Sequence, residues 1–272
     1  MRVLLTNDDG LEAEGLQVLR RELLKVPGIE LAVIAPDGNR SASGRSITTR
    51  RPLWVEEVPF GDGTVGYATD GTPVDCVRLA ATGLVDGFEA EMVVSGANHG
   101  SNLGDDITYS GTVAAALEGI LLGLPAIALS QQSAAREMDF RLAEEFSFDE
   151  GARFVARVVE ELERVPLPSG TLLNVNAPAG DADRVEVCRL GKRIFRDELK
   201  LVEEESQARR RYWMYGAVTG YHEEEGTDLA AIAAGHIAVT PLHFDLLDAE
   251  GMNELQRRDL ARLLAPAARE VQ

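Results

Sequence analysis

Cysteine is scarce in this chain. Only Cys76 and Cys188 occur, and neither belongs to a Cys-x-x-Cys pair. That excludes a disulfide scaffold and fits a reducing compartment. Histidine is equally sparse: His99, His222, His236 and His243 stand apart, none paired at metal-ligand spacing, so a zinc centre is not expected. Long apolar runs are missing. No run reaches membrane-spanning length, and Arg2-Val3-Leu4-Leu5 turns polar at Asn7, too soon for a secretory signal. The expected location is the cytoplasm. Positive charge is short: 27 Lys and Arg face 45 Asp and Glu, a formal net charge of −18. Such a surface repels nucleic-acid backbones and anionic membranes, so neither a nucleic-acid polymer nor a membrane is an expected partner. A small phosphate ester remains compatible if a divalent cation inverts the local field. Gly-x-Ser-x-Gly and Gly-x4-Gly-Lys-Ser/Thr motifs are absent, which removes two common routes to acyl and phosphoryl chemistry.

What is present is a repeating strand–helix order. Arg2–Thr6 reads as a buried strand stopped by Asn-Asp-Asp-Gly, and Leu11, Leu16, Leu19 and either Leu23 or Leu24 come next at helical spacing. Residues 29–34 form a second strand, completing a βαβ unit whose strands should be parallel. Residues 45–60 suggest strands of a less regular excursion. Thr72 and Pro73 open a helix to about Thr82, with Thr72 as cap. Further strands fall at 91–95, 125–130, 171–176 and 236–240, with helices at 111–123, 149–164 and about 252–268. Leu255, Leu260, Leu263 and Leu264 of the last helix read as core packing. The charged, alternating stretch from Val185 to about Tyr215 reads as a projecting hairpin. The expected fold is α/β, three layers around a mostly parallel sheet, with a C-terminal β-hairpin arm. Its expected organisation is a core at 1–184, an arm at 185–225, and a return strand and terminal helix packing on the core at 226–272.

Ligands in such sheets bind beyond the carboxyl ends of the strands. Asn7-Asp8-Asp9-Gly10 sits at the first such end, where two adjacent carboxylates repel each other unless a cation intervenes; Asp9 could instead cap the next helix. The second end carries Ala35-Pro-Asp-Gly-Asn-Arg-Ser41-Ala-Ser43-Gly44, rich in turns and hydroxyls. The third carries Asn98, His99 and Asn102 among glycines at 96, 100 and 104, with Ser110-Gly111-Thr112 beyond them at a helix start. A helix N-terminus with hydroxyls suits an anion, although Ser110 could simply cap it. Carboxylate, hydroxyl and amide oxygens suit Mg²⁺, Mn²⁺ or Ca²⁺. The Asn7–Gly10 motif lacks the Asp-x-Asp spacing of aspartyl-phosphate enzymes, so a metal-activated water is the economical nucleophile. His99 could reach the site as an acid or base.

These segments resemble one family. TNDDG at 6–10, APDGNRSASG at 35–44, DGTPVDCV at 70–77, SGANHGSNLGDDITYSGTVAAALEG at 95–119, LNVNAP at 173–178 and GTDLAAIAAGHIAVTPL at 226–242 are similar, in order, to the SurE (stationary-phase survival protein) family of metal-dependent 5′/3′-nucleotidases. The resemblance implies a Rossmann-like core and hydrolysis of nucleoside 5′- and 3′-monophosphates to nucleoside and phosphate. It implies one divalent ion, Mg²⁺ or Mn²⁺, on Asp8, Asp9, Ser41 and Asn98. Asp8 or Asp9 would take the attacking water's proton. Asn7, Asn102, Ser110, Gly111 and Thr112 would meet the phosphate or substrate. It also implies a dimer or tetramer built through an exchanged C-terminal arm. Ala238 stands where the family's last motif often has Ser. The rival readings are a non-catalytic nucleotide or metal sensor, a phosphatase of polyphosphate or another small ester, and a purely structural oligomer.

Overall fold

The computed structural model describes every residue except 139–144, 165–166, 196–197, 207–208, 215–219, 259 and 261–272. The chain opens with β1 (Arg2–Thr6), α1 (Glu14–Leu23), β2 (Glu30–Pro36), β3 (Val55–Pro59) and β4 (Val65–Thr69). It continues with α2 (Pro73–Ala81), β5 (Met92–His99), a 3₁₀ turn at Gly104–Thr108, α3 (Gly111–Leu121) and β6 (Ala126–Gln131). Then come α4 (Asp149–Arg164), β7 (Thr171–Ala177), β8 (Val185–Val187), β9 (Arg193–Ile194), β10 (Lys200–Ser206) and β11 (Arg209–Trp213). β12 (Gly220–Tyr221), α5 (Asp228–Ala233), β13 (Ile237–His243) and α6 (Ala249–Gln256) complete the described elements.

Nine strands form one sheet in the order β3-β4-β2-β1-β5-β6-β7-β13-β8. Pairing from β4 through β7 is parallel, and β3 and β13 run antiparallel to β4 and β7. The mostly parallel α/β expectation is therefore met. Strand alternation feeds both faces. Val3 and Leu5 join Leu16, Leu19 and Leu23 of α1 and Val155 and Val159 of α4 on one side. Leu4 joins Val77 of α2 and Val113 and Ala116 of α3 on the other. Burial on both faces explains why the central strands read as continuous apolar runs. The connection from β1 leads to β2 on one side, while β5 pairs with β1 on the other. The crevice at the carboxyl ends of β1 and β5 is thus the topological switch point where ligands of such folds bind.

Local chemistry sets the helix starts. Thr72 accepts from Asp75 N (3.1 Å), and Asp75 accepts from Thr72 N (2.9 Å), a reciprocal capping box behind Pro73. Thr48 N also donates to Asp75. Burial opposes ionisation of Asp75, but the N–H groups of Thr72 and Thr48 outweigh it and hold its pKa below the ordinary carboxylate range.

Four boundaries differ from expectation. β5 extends through His99 instead of ending at Ser95, because Asn98 and His99 resume pairing with Ser130 and Gln131 after an irregularity. β4, at Val65–Thr69, is a strand that sequence reading did not separate, since Gly66 and the turn at 61–64 mask its alternation. Val185–Val187 joins the main sheet beside β13, so only the chain beyond Val187 can project; β10 and β11 form an antiparallel hairpin whose cross-strand pairs include Glu203–Arg211 and Glu204–Arg210. α6 starts at Ala249 rather than at Met252 and buries none of its residues over Ala249–Gln256; the expected helix from 261 to 268 lies outside the described residues. Leu255 is 51% exposed and Leu260 47%, because the core faces of the sheet are already covered by α1 to α4. Leu263, Leu264 and the hairpin's expected end at Tyr215 lie outside the described residues.

Urea unfolding should separate the buried from the exposed leucines. Leu129→Ala, at a fully buried position, should cost about 3 kcal/mol, whereas Leu255→Ala should stay within about 0.5 kcal/mol. Asp75's lowered pKa contributes stability above the unfolded carboxylate range that is lost as pH falls through its folded value. Asp75→Asn should therefore destabilise at pH 7, and the gap to the parent should shrink towards pH 3.

Candidate active site

The Asn7–Gly10 turn leaves β1 directly into the switch-point crevice. Asn7 is fully buried; its Nδ2 donates to Gly10 O (2.9 Å) and its Oδ1 accepts from Gly10 N (3.2 Å). Asn7 therefore braces the turn that presents Asp8 and Asp9. Gly10 takes a positive φ of 114°, and an added Cβ would meet Gly38 Cα at 3.0 Å, which presses this turn against the loop after β2.

Asp8 is 3% exposed and faces the N-terminus of α3. The hydroxyl of Thr112, itself fully buried, donates to Asp8 Oδ1. A Cβ on Gly111 would lie 2.7 Å from Asp8 Oδ2, so only glycine lets the helix terminus come this close. Burial, and next the charge of Asp9, push the Asp8 carboxyl up to about 6, against the Thr112 hydroxyl. Among the described residues no cationic side chain pairs with Asp8; Arg40 turns instead to Asp37, while its backbone N donates to Asp8 O (2.6 Å).

Asp9 is gripped from two sides. Its Oδ2 accepts from His99 N (3.1 Å) and lies 3.0 Å from His99 Nδ1. Its Oδ1 accepts from Asn39 Nδ2 (3.2 Å). The His99 ring is walled by the edges of Phe146 and Phe148 at 5.1 and 4.8 Å. Asn98, one residue earlier on β5, commits its Nδ2 to Gly100 O (2.7 Å), which leaves the carbonyl oxygen as its available end. Ser41 is exposed; its backbone N donates to Asn39 Oδ1 (2.8 Å), and no hydrogen bond among the described residues joins its hydroxyl to Asp8, Asp9 or Asn98.

The remaining expected residues divide by role. Ser110 caps α3, its Oγ accepting from Val113 N (3.0 Å). Asn102 is buried in a polar network: its Nδ2 donates to Ser130 Oγ (2.8 Å), its N to Asn176 Oδ1 (2.8 Å), and its O accepts from Asn174 and Asn176. The structure thus brings Asp8, Asp9, Gly111 and Thr112 together, with Asn98 beside His99 at the same strand end. It keeps Asn7 and Asn102 in supporting positions.

Sequence reasoning missed Asn39, Asn174 and Asn176. The last two had a signal: polar residues two apart in an apolar strand share one face and need partners there. Among the described residues no three His, Cys, Asp or Glu side chains gather as a cation site. A cation here would rest on two carboxylates and neutral oxygens, a hard donor set that fits Mg²⁺ or Mn²⁺ rather than zinc.

The family model described as Survival protein SurE matches residues 3–197. The chain belongs to the SurE family. It is 51% identical to the 5′-nucleotidase SurE of Rubrobacter xylanophilus over 97% of this chain and 99% of that one. Identity to the 5′-nucleotidase SurE of Carboxydothermus hydrogenoformans is 42%, covering 94% and 95%. The crystal structure of the SurE protein from Aquifex aeolicus superposes with a TM-score of 0.77 at 35% identity, covering 94% of this chain and 98% of that one. The family resemblance and the fold that it implies are both met.

Gly111→Ala should destabilise the protein by about 1–3 kcal/mol in urea unfolding, because the added methyl must displace Asp8 or the helix terminus. The same change at Gly123, whose Cβ position is open but whose φ is positive, should cost about 1 kcal/mol.

Proposed function

We propose that this chain hydrolyses nucleoside 5′-monophosphates, and 3′-monophosphates, to nucleoside and phosphate with the help of one divalent ion. The observation that carries the reading is the buried Asp8 beside the half-buried Asp9 at the switch point, set against the N-terminus of α3 with no cationic side chain on Asp8 among the described residues. The names of the relatives, 5′-nucleotidase SurE, support the substrate class.

Asp8, Asp9, Ser41 and Asn98 would hold the ion, Mg²⁺ or Mn²⁺. Bound there, it supplies Lewis-acid polarisation of the phosphoryl group and lowers the pKa of a water for in-line attack. The protein's own share is positional and electrostatic. The first N–H groups of α3 have no intrahelical acceptor; Ser110 occupies that of Val113 and Asp8 accepts from that of Thr112, so Gly111 N–H is the one that would meet a phosphoryl oxygen. Asn102 fixes the strand-end loop that leads to this terminus. His99 and Asn39 orient Asp9, leaving an Asp carboxylate to receive the water's proton. Thr112 fixes the rotamer of Asp8 through its hydroxyl.

A soluble cytoplasmic enzyme acting as a dimer or tetramer through the β10–β11 arm is part of the same reading. The arm exposes Leu201, Val202 and Trp213, and no described helix is long and apolar enough to cross a membrane.

Phosphate release from a panel of nucleoside monophosphates should require Mn²⁺ or Mg²⁺ and stop with excess chelator. Asp9→Ala should lose at least the ~100-fold at the upper end of outer-shell effects while keeping its unfolding transition. Chelator-insensitive turnover or a fully active Asp9→Ala would refute the ligand assignment. A folded protein that binds metal and nucleotide but releases no phosphate would be a sensor instead.

A further inference from the structure

Glu118 lies on α3, is fully buried, and takes no part in the chemistry proposed above. Its Oε2 pairs with Arg45 Nη2 at 2.5 Å and its Oε1 with Arg78 Nη2 at 2.5 Å. Only the carboxylate is buried, while Arg45 is 36% and Arg78 53% exposed, so each pair is a modest source of stability. The placement of its partners is more informative. Arg78 sits on α2, which already packs on α3 through Val77 and Ala116 in the core between them. Arg45 sits on the stretch between β2 and β3, which has no regular structure from residue 37 to 54.

That stretch carries Asn39, which donates to Asp9, and Arg40, whose backbone N donates to Asp8 O. Next comes Ser41, the proposed ligand. Downstream, the tethers are Gly44 N to Tyr109 O (3.0 Å), Arg45 to Glu118, Thr72 Oγ1 to Ser46 O (2.8 Å), and Thr48 N to Asp75. Between the two sets, Ala42 adopts a φ of 56° and the buried Ser43 hydroxyl has no partner among the described residues. The stretch from 41 to 43 is therefore held by its ends. Arg45 supplies the charged tether, steadied by the Phe244 ring 5.1 Å beneath its guanidinium.

We infer that Glu118 and Arg45 are positioning residues: the ion pair between the buried Glu118 and the more exposed Arg45 fixes the Ser41 loop to the same helix whose N-terminus faces Asp8, so that ligand loop and helix terminus share one frame. This rests on the proposed function for its consequence, but the tether itself does not. Arg78 provides the internal control, because it meets the same carboxylate and, among the described residues, makes no hydrogen bond or ion pair to the loop.

The test compares the full-length parent with Arg45→Met, Arg45→Lys and Arg78→Met. Three properties are measured: amide exchange at Gly44 and Thr48, Mn²⁺ affinity by calorimetry without substrate, and phosphate release from AMP. Arg45→Met should speed exchange at Gly44 and weaken Mn²⁺ binding by about tenfold. At a Mn²⁺ level that half-saturates the parent it should lower kcat with KM for AMP nearly unchanged. Arg45→Lys should recover part of each effect, and Arg78→Met should change stability without these effects. Equal behaviour of Arg45→Met and Arg78→Met in exchange and in Mn²⁺ affinity would overturn the inference. A parent that neither binds Mn²⁺ nor releases phosphate would overturn the functional reading instead; exchange at Gly44 and Thr48, which needs no ion, would then decide the tether alone.

Discussion

The contact between the Asp8 carboxylate and the start of α3 is the constraint on which the rest of the site depends. A carboxylate that is only 3% exposed needs donors, and the Thr112 hydroxyl supplies one. Placing Thr112 there draws the helix terminus onto β1, and Gly111 is the residue small enough to allow it. The positive end of the helix then lies against the crevice where an anion would sit. Because α3 also carries Glu118, one helix touches both the carboxylate and the loop that carries Ser41.

Supporting polar networks hold the loops that strand geometry alone would leave free. Asn102 is bound by Asn174, Asn176 and Ser130, which lie on neighbouring strands β7 and β6. Further along the same segment, Gly104 N donates to Asp228 (2.8 Å), whose other oxygen accepts from Gly191 N (2.8 Å). Arg193 pairs with Asp106 in a buried contact. The base of the arm is thus fastened to the segment that leads into α3. Burial raises the pKa of Asp228, while the N–H groups of Gly104, Gly191 and Leu229 favour its charge, so the junction is polar but satisfied.

The strong negative charge is distributed unevenly in its consequences. On β10 and β11 acidic residues face arginines in exposed cross-strand pairs, each worth little in water. At the switch point two carboxylates stand together and are met by backbone N–H groups, a hydroxyl, an amide and an imidazole rather than by Lys or Arg. The same residue type is a solvated face in one place and a site in the other; burial decides which.

Much of this was legible in the sequence. Apolar runs bounded by Gly, Pro and Asn-Asp marked the central strands, helical spacing marked α1 to α4, and Thr72-Pro73 marked the start of α2, because these signals are local. The motifs at strand ends pointed to the crevice at the carboxyl ends of β1 and β5, since parallel α/β topology puts those ends on one edge. Local signals offered the cap at Ser110 as one of two readings, but could not say that Asn7 would close its own turn or that Asn174 and Asn176 would hold Asn102. Nor could they say that Leu255 would face water, because a helical apolar pattern records an amphipathic face without saying what covers it. The sequence by itself determined the strand–helix order and the family, because apolar spacing, turn residues and contiguous motifs are local signals. Tertiary structure alone decided that Asp8 meets Thr112 across 104 residues of chain and Arg45 meets Glu118 across 73, since contacts between distant segments are set by how the sheet brings its edges together.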